Sequence, residues 1–218
     1  MTQPGPLRGL RFIHTALAIE LELLEQDARR ALGGSMSVDS VKERFDWIGF
    51  VLDGHAIGED VGVLGVIAER FAHVADSFED DHRFEEELRD NMISMLRDFT
   101  SGDSSAGESF TRATSELLHT TVYHMNKEER LLIPLIEENF TLPEQGEMMG
   151  KMMATFPADF MGKAVPWMFK RLEGNDRIDY ALLLKNAMPP EPFEMFMQMV
   201  EQEIGNDAWG PIASAIEH

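Results

Sequence analysis

The sequence predicts an all-α protein, an antiparallel up-down four-helix bundle followed by a C-terminal extension of short helices. Apolar residues recur at helical spacing in four long segments, and proline and glycine fall between the segments. No Asn-Gly or Asp-Gly turn lies between strand-like runs. Four long helices joined by short polar links favour a bundle over other all-α folds.

Composition removes several classes of function. The 218 residues include no cysteine, which excludes disulfides, thiolate zinc sites, iron–sulfur clusters and cysteine nucleophiles. The net charge of −20 repels phosphate backbones, so we expect no nucleic-acid partner. The apolar stretch 61–68 is far shorter than the ~18 residues that a membrane span needs, and no signal-like segment opens the chain. We therefore expect a cytoplasmic protein without a membrane partner.

The first two helices have clear inward faces. We expect the first helix over residues 7–32, ended by Gly33-Gly34, and the second from a cap at Ser37 or Asp39. The inward positions of the first are Leu10, Ile13/His14, Leu17, Leu21 and Leu24; those of the second are Val41, Phe45, Ile48, Leu52, His55 and Glu59.

The third and fourth helices are less regular. The third is expected from about Asp76 to Ser101, with two competing stripes: Phe84, Leu88, Met92, Met95 and Phe99, or Ala75, Phe78, His82, Glu86 and Ile93. The fourth is expected after Gly107, with Pro134 kinking its end. Its inward positions are predicted as Phe110, Leu117, His124, Glu128, Leu131 and Leu135.

The chain divides by composition into a bundle over residues 7–140 and an extension over residues 143–218. The extension holds ten of the fifteen methionines, and its prolines cut it into short helices. Methionine fills cores and also lines adaptable binding surfaces, so the extension could serve a protein partner or self-association.

Each of the four predicted bundle helices carries one histidine at a core-facing position: His14, His55, His82 and His124. Two of them have a glutamate one turn later on the same helix face, Glu59 after His55 and Glu128 after His124. The chain therefore reads as two similar halves, each with a lone histidine followed by a His-x-x-x-Glu helix. Packed antiparallel, the halves bring four imidazoles and two carboxylates to one point.

This donor set suits iron. Imidazole serves several transition metals, and bridging carboxylates are typical of di-iron and di-manganese bundles. Six protein ligands exceed the four of a tetrahedral zinc site but cannot saturate two six-coordinate irons. Open positions would remain for dioxygen, peroxide, hydroxide or nitric oxide. The predicted metal ligands are His14, His55, Glu59, His82, His124 and Glu128.

Two other interpretations remain open. Any one of these histidines could be a hydrogen-bonded core residue in a bundle without metal. Alternatively, Glu79-x-x-His82 and Glu116-x-x-His119 match the Glu-x-x-His element of ferritin-like di-iron bundles, although they fall on adjacent helices. His73 lies out of phase with the site and is expected beside it or at the surface.

The stretches RFIHTALAIELE, GHAIGED, FEDDHRFEEEL and YHMNKEERLLIPLI resemble the hemerythrin-like, His-His-Glu cation-binding domain family, in its bacterial type with a C-terminal extension. The resemblance covers residues 7–140. It implies an antiparallel four-helix bundle with a non-heme di-iron centre, two iron ions bridged by oxo or hydroxo groups and carboxylates. It also implies the same six ligands and a diatomic molecule or peroxide as the small partner.

The chain departs from oxygen-carrying hemerythrins at the third helix. Those proteins pair a fifth histidine with another one turn away, where this chain has Phe78 and Glu86. They also place an aspartate five residues after the last histidine, where this chain has Glu129, so Glu129 and Asp60 are alternative ligands. Either Glu86 replaces the imidazole or the site is more open. Both options favour turnover of peroxide or nitric oxide over oxygen carriage; an iron or oxygen sensor without turnover is the alternative.

Overall fold

A computed structural model describes residues 5–157 and 159–217, and the all-α fold class is confirmed: these residues contain no strand. No helix among them is long and apolar enough to cross a membrane. After a 3-10 turn (Pro6–Gly9) come α1 (Leu10–Leu32), α2 (Val38–Glu59), α3 (Gly65–Thr100), α4 (Ser104–Lys127), α5 (Ile133–Asn139), α6 (Leu142–Thr155), α7 (Phe160–Arg171), α8 (Asn175–Ala187), α9 (Pro190–Ile204) and α10 (Asn206–Ile216).

The chain forms two compact units. Among the described residues, the first holds 5–8 and 17–155, and the second holds 9–16, 156–157 and 159–217. Helix α1 is continuous from one unit into the other. The predicted domain boundary between residues 140 and 143 stays a prediction, while α6 belongs to the first unit.

The inward faces predicted for α1 and α2 are buried as expected. Gly34, at a φ of +72°, follows the end of α1, where a residue with a Cβ would be strained. The hydroxyl of Ser37 caps α2 by accepting a hydrogen bond from the Ser40 N–H at 3.1 Å. Local chemistry therefore sets the ends of both helices.

Helix α3 differs from its prediction at its start and in its buried face. It begins at Gly65 and passes a non-helical residue, Phe71 (φ −137°, ψ 51°). Phe84 and Ile93 are exposed, contrary to both predicted stripes. The buried face instead alternates steps of three and four residues, which keeps one side of a helix inward, whereas repeated steps of four drift around it. Its buried members are Ala75, Phe78, His82, Glu85, Met92, Leu96 and Phe99.

Two π-helical turns lie beside the predicted ligands. One spans Asp60–Leu64 and the other Glu128–Leu132. In each, an N–H bonds to the carbonyl five residues earlier: Gly65 to Asp60, and Ile133 to Glu128. Such a turn adds one residue to the helix, and π turns are frequent at functional sites.

The second π turn explains an error in the predicted end of the fourth helix. Leu131 is exposed and Leu135 only half-buried, while Leu132 and Ile136 face the core, because the extra residue moves the inward position forward by one. The start was also predicted too late. Helix α4 begins at Ser104 because the carboxylate of Asp103 accepts hydrogen bonds from the N–H groups of Ser105 and Ala106.

Helix α6 packs closely against the first π turn. A Cβ added at Gly62 would lie 2.5 Å from the backbone nitrogen of Met152, closer than real contacts allow. Only glycine lets the two backbones approach this far. Helix α6 is therefore a fixed part of the first unit.

The second unit has an aromatic and methionine core. Tyr180 is buried with ring centroids 5.0 Å from Phe12 and 5.1 Å from Phe169. Its hydroxyl donates a hydrogen bond to the sulfur of Met168 at 3.4 Å. At the surface of the same unit, Arg11 bonds two carboxylates of α8, Asp176 and Asp179. These contacts anchor residues 9–16 to α8.

Candidate metal centre

The predicted ligands of the first unit come from three consecutive helices and a π turn. His55 and Glu59 lie on α2, His82 on α3, His124 on α4, and Glu128 begins the second π turn. All five are buried, and Glu59 and Glu128 are each only 1% exposed. Ligand atoms of Glu59, His82, His124 and Glu128 lie within 4.8 Å of one another, close enough to hold one metal ion.

The two glutamates stand between imidazoles. One oxygen of Glu59, Oε2, is 3.5 Å from Nε2 of His55 and also 3.5 Å from Nε2 of His82 on the next helix. Oε1 of Glu128 is 3.2 Å from Nε2 of His124. The imidazole rings of His82 and His124 are 4.7 Å apart between centroids. The Nε2 atoms thus converge on the carboxylates.

His14, on α1, is also buried and belongs to the second unit. Five of the six residues predicted from the sequence are therefore brought together within the first unit, while the role of all six as ligands stays a prediction.

Two aspartates accept hydrogen bonds from the Nδ1 atoms of His82 and His124, on the side of each ring away from Nε2. Nδ1–H of His82 donates to Oδ1 of Asp60 at 2.7 Å, and Nδ1–H of His124 donates to Oδ2 of Asp81 at 3.3 Å. Lys127 Nζ donates to the same Asp81 oxygen at 2.6 Å. A proton fixed on Nδ1 leaves Nε2 as the atom that can bind a metal. Asp60 was an alternative ligand in the sequence, and its bond to the back of His82 argues against that role.

The carboxylates also change the pKa values of the two histidines. Burial lowers the pKa of His82, but the hydrogen bond to Asp60 and the nearby carboxylate of Glu59 outweigh burial and raise it to about 11. Burial likewise lowers the pKa of His124, and the contact with Glu128 outweighs it and raises the pKa to about 9. Without metal, both imidazoles are therefore protonated on both nitrogens and positively charged at neutral pH.

We expect metal binding to release these protons. A metal binds neutral imidazole, so the apparent affinity should rise with pH through 9 and up to about 11, and buffer should take up protons at pH 7. Calorimetry in two buffers of different ionisation enthalpy measures the release. Conversely, histidine protonation stabilises the metal-free fold fully below the ordinary pKa near 6.5, and this stabilisation is lost as pH rises through 9 and then 11. Metal-binding heats that are independent of the buffer would contradict the prediction.

The donor atoms fit a cation. Both oxygens of Glu59 and Nε2 of His82 and His124 are buried and form no hydrogen bond within the described part of the chain. Burying polar atoms without hydrogen bonds costs free energy, and a bound cation offsets that cost for carboxylates and neutral imidazoles alike. The residues present are thus suited to a metal ion.

Phe78 and Glu86 stand at the two α3 positions where a fifth histidine was considered, and their surroundings differ. Phe78 is buried, with its ring centroid 6.0 Å from that of His124, and Lys127 Nζ lies 4.1 Å above the Phe78 ring. Glu86 is exposed, so the interpretation that it replaces the imidazole is wrong. Its neighbour Glu85 is buried instead, one turn from His82. Sequence analysis missed Glu85, although His82-x-x-Glu85 spacing places both residues on one helix face.

The other histidines lie away from the centre. His73 and His119 are exposed, and so is Glu116, which leaves the ferritin-like arrangement with one of its two elements at the surface. By contrast, all six ligands predicted from the repeated pattern of a lone histidine followed by a His-x-x-x-Glu helix are buried. The structure therefore favours that arrangement over the ferritin-like one.

Comparison with known proteins agrees with this geometry. Residues 6–136 match the model of the hemerythrin HHE cation binding domain, which is more than half of the chain. The chain belongs to this family. The match contains all six predicted ligands and ends before α6. This hemerythrin domain therefore has a buried His/Glu site that could hold a metal ion, as its family's description states.

Similar curated proteins are much longer than this hemerythrin-family chain. Zinc finger protein BRUTUS of Arabidopsis thaliana is 25% identical over 188 residues, which cover 86% of this chain and 15% of that protein. A BRUTUS-like protein of the same plant is 22% identical and covers 81% of this chain and 14% of its own length. An alignment of 188 residues cannot fit within residues 6–136, so the similarity continues into the C-terminal helices. No solved structure matched the chain.

Replacing Asp60 tests how His82 is held. Asp60→Asn keeps a hydrogen-bond acceptor for Nδ1–H, whereas Asp60→Ala removes it. We expect ~10–100-fold weaker metal binding for Asp60→Ala and a smaller loss for Asp60→Asn. Titration of metal into metal-free protein gives the affinities, with the exposed Asp80→Ala as the control. If Asp60→Asn weakens binding as much as Asp60→Ala, the carboxylate charge, and not orientation of the ring, is what matters.

Proposed function

We propose that the chain is a non-heme di-iron protein that binds or reacts with dioxygen, peroxide or nitric oxide. The observation that carries the proposal is that two buried carboxylates, Glu59 and Glu128, converge with the imidazoles of His55, His82 and His124. Two metal positions that share two carboxylates are the arrangement of carboxylate-bridged di-iron bundles. The mixture of imidazole and carboxylate donors favours iron over zinc or magnesium.

Each ligand type has a distinct role in this proposal. His14 and His55 would hold one iron, and His82 and His124 the other. Glu59 and Glu128 would hold iron as well and offset its positive charge. Asp60 and Asp81 keep Nε2 of their histidines directed at the centre, and the Phe78 ring packs beside His124. Two ferrous ions held there would supply the two electrons that, with two protons, reduce one hydrogen peroxide to two waters.

The position of Phe78 supports reaction over reversible oxygen carriage. With Phe78 where carriers have a fifth histidine, no described side chain of α3 supplies that imidazole. The centre would then have one protein ligand fewer than a carrier and one more position open to a small molecule. An open position lets peroxide or nitric oxide reach the metal directly.

Metal analysis and spectroscopy test the proposal together. Aerobically purified protein should contain about two irons per chain and show oxo-to-iron charge-transfer bands in the near ultraviolet. The reduced protein should consume hydrogen peroxide or nitric oxide faster than it forms an oxygen adduct that oxygen removal reverses. One zinc and no iron in native material would refute the di-iron centre. A stable reversible adduct with negligible peroxide consumption would refute the reactive role alone.

A sensor of iron or oxygen is the second candidate. It is favoured by the similarity to BRUTUS proteins, which continues past the metal-binding helices into the second unit. In this role metal occupancy would act through a protein partner, or through self-association of the methionine-rich helices, without turnover. Iron binding without peroxide or nitric oxide consumption would favour it.

A further inference from the structure

Helix α6 packs against the π turn at Asp60–Leu64, and this turn begins beside the metal centre. Glu59 directly precedes the turn, and its Oε2 atom is 3.5 Å from Nε2 of both His55 and His82. Asp60 is the first residue of the turn and accepts the hydrogen bond from Nδ1–H of His82. A change in the shape of the turn therefore changes the positions of two acidic residues that contact His82.

The contact between α6 and the turn joins two backbones. A Cβ added at Gly62 would lie 2.5 Å from the backbone nitrogen of Met152 and 2.7 Å from its Cα. Met152 is 3% exposed, and Met148, one turn earlier on the same face of α6, is completely buried. A flexible side chain could move aside, but a backbone moves only with its helix. The position of α6 and the shape of the turn are therefore linked.

The start of α6 is fixed to α3. Thr141 and Glu144 form a capping box, in which Oε2 of Glu144 accepts a hydrogen bond from the Thr141 N–H at 2.6 Å. The other oxygen, Oε1, accepts from Nη2 of Arg70 at 3.0 Å. Nη1 of the same arginine donates to the carbonyl of Asn139 at 2.9 Å. Because Arg70 lies on α3 shortly after the turn, α6 contacts the chain both within the turn and beyond it.

Helix α6 is also connected to the second π turn. That turn begins with Glu128, and α5 follows it directly and leads to α6. At the corner between α5 and α6, the buried side chain of Gln145 donates from Nε2 to the carbonyl of Phe140 at 2.9 Å. A single helix, outside the residues that match the family, therefore contacts one π turn and is joined through a fixed corner to the other.

We propose that α6 positions the two π turns for metal binding, and that metal binding in turn stabilises the packing of α6. The inference rests on the proposed binding of iron at this centre, but not on any reaction of the iron. A π turn is rare because a helix by itself favours regular α-helical hydrogen bonds, so packing from outside the helix stabilises it. If packed α6 favours the form of the turns that binds metal, the metal must favour packed α6 by the same factor.

Hydrogen exchange of the unaltered protein is the direct test. Exchange of the α6 amides is measured in metal-free protein and after loading with ferrous iron in the absence of oxygen. We expect iron to slow this exchange by about fivefold or more, the lower end of the coupling between two sites in proteins. Amides of α6 that exchange equally fast with and without iron would overturn the inference.

Two pairs of variants test the same coupling in the opposite direction. Gly62→Ala places a methyl group in the backbone contact, and Gly150→Ala is its matched control because a Cβ there meets nothing within 4 Å. Met152→Ala weakens the packing of α6 without changing a residue of the turn, and Met153→Ala is its control because Met153 is exposed. Anaerobic titration measures the affinity for ferrous iron, and circular dichroism measures the helix content.

We expect Gly62→Ala and Met152→Ala to bind ferrous iron about fivefold to fiftyfold more weakly than the wild type, although neither residue is a predicted ligand. In both variants iron should also slow the exchange of α6 less than it does in the wild type. Gly150→Ala and Met153→Ala should keep the affinity of the wild type. A purely structural role of the contact would lower the stability of the variants without changing their iron affinity.

Wild-type iron affinity in both Gly62→Ala and Met152→Ala would overturn the inference, whatever their stability. If Gly62→Ala does not fold, Met152→Ala and the exchange measurement decide alone. The di-iron proposal is read separately, from the number of irons bound per wild-type chain. One iron per chain with slower exchange of α6 would refute the di-iron centre and support the inference, and two irons with unchanged exchange would do the reverse. A wild-type chain that binds no iron would refute both.

Discussion

Glu59→Ala and Glu128→Ala should each lose more than half of the bound metal. Each glutamate lies buried among the imidazoles of the first unit, so its removal takes a charged donor from the centre. Each change also leaves the paired histidine, His55 or His124, without the carboxylate one turn away. Metal content of purified protein by mass spectrometry and the loss of near-ultraviolet absorption measure the effect.

Glu86→Ala is the matched control, because Glu86 is an exposed glutamate four residues after a histidine of the same centre. It should keep full occupancy. If Glu59→Ala and Glu128→Ala also keep full occupancy, other acids hold the metal. Glu129 would be the first of these to replace, since it follows Glu128 directly and is half-buried.

Arg44→Met should produce the largest loss of stability away from the metal centre. Arg44 joins α2 to α1 through two buried carboxylates: its Nε donates to Asp27 at 2.9 Å, and its Nη1 donates to Glu20. Glu20 is 2% exposed and Asp27 is 4% exposed. Removing Arg44 takes away the cation that links the two buried carboxylates, while Arg30 still pairs with Asp27 at 3.2 Å, so we expect a loss of about 3 kcal/mol in the free energy of unfolding, the lower end for a buried ion pair.

Lys42→Met tests whether burial is the reason. Lys42 lies two residues before Arg44 on the same helix and pairs with Asp46 at the surface, where both side chains are more than half exposed. An exposed pair contributes little, so this change should alter stability by less than ~0.5 kcal/mol. Chemical denaturation of the metal-free protein measures both variants. Equal losses in the two would show that burial of the Arg44 carboxylates does not determine the cost.

The sequence predicts the parts of this protein that local periodicity and spacing control. The inward faces of α1 and α2 follow from the regular recurrence of apolar residues, and the clustered histidines and glutamates follow from their core-facing positions along α2, α3 and α4. The family resemblance adds the bundle topology, and the matched residues 6–136 agree with it.

Features that depend on packing between helices could not be predicted in this way. The π turn at Glu128–Leu132 depends on hydrogen bonds five residues apart, which no sequence pattern marks, and it moved the inward leucine from Leu131 to Leu132. In α3, the neighbouring residues Glu85 and Glu86 have the same side chain, so residue type cannot show which of them faces the core. Only the contact with α4 decides which one is buried.

The tight approach at Gly62 has a consequence for how this family can vary. Because a single added carbon at residue 62 would meet the backbone of Met152, the glycine is required by a helix that lies beyond the matched family domain. Glycine at this position should therefore occur together with α6: nearly invariant in relatives that have this sixth helix, and freely replaced in those that end after the metal-binding bundle. Substitution patterns across many genomes would then reveal which hemerythrin domains carry the additional helix, even where the sequence of that helix has diverged beyond detection.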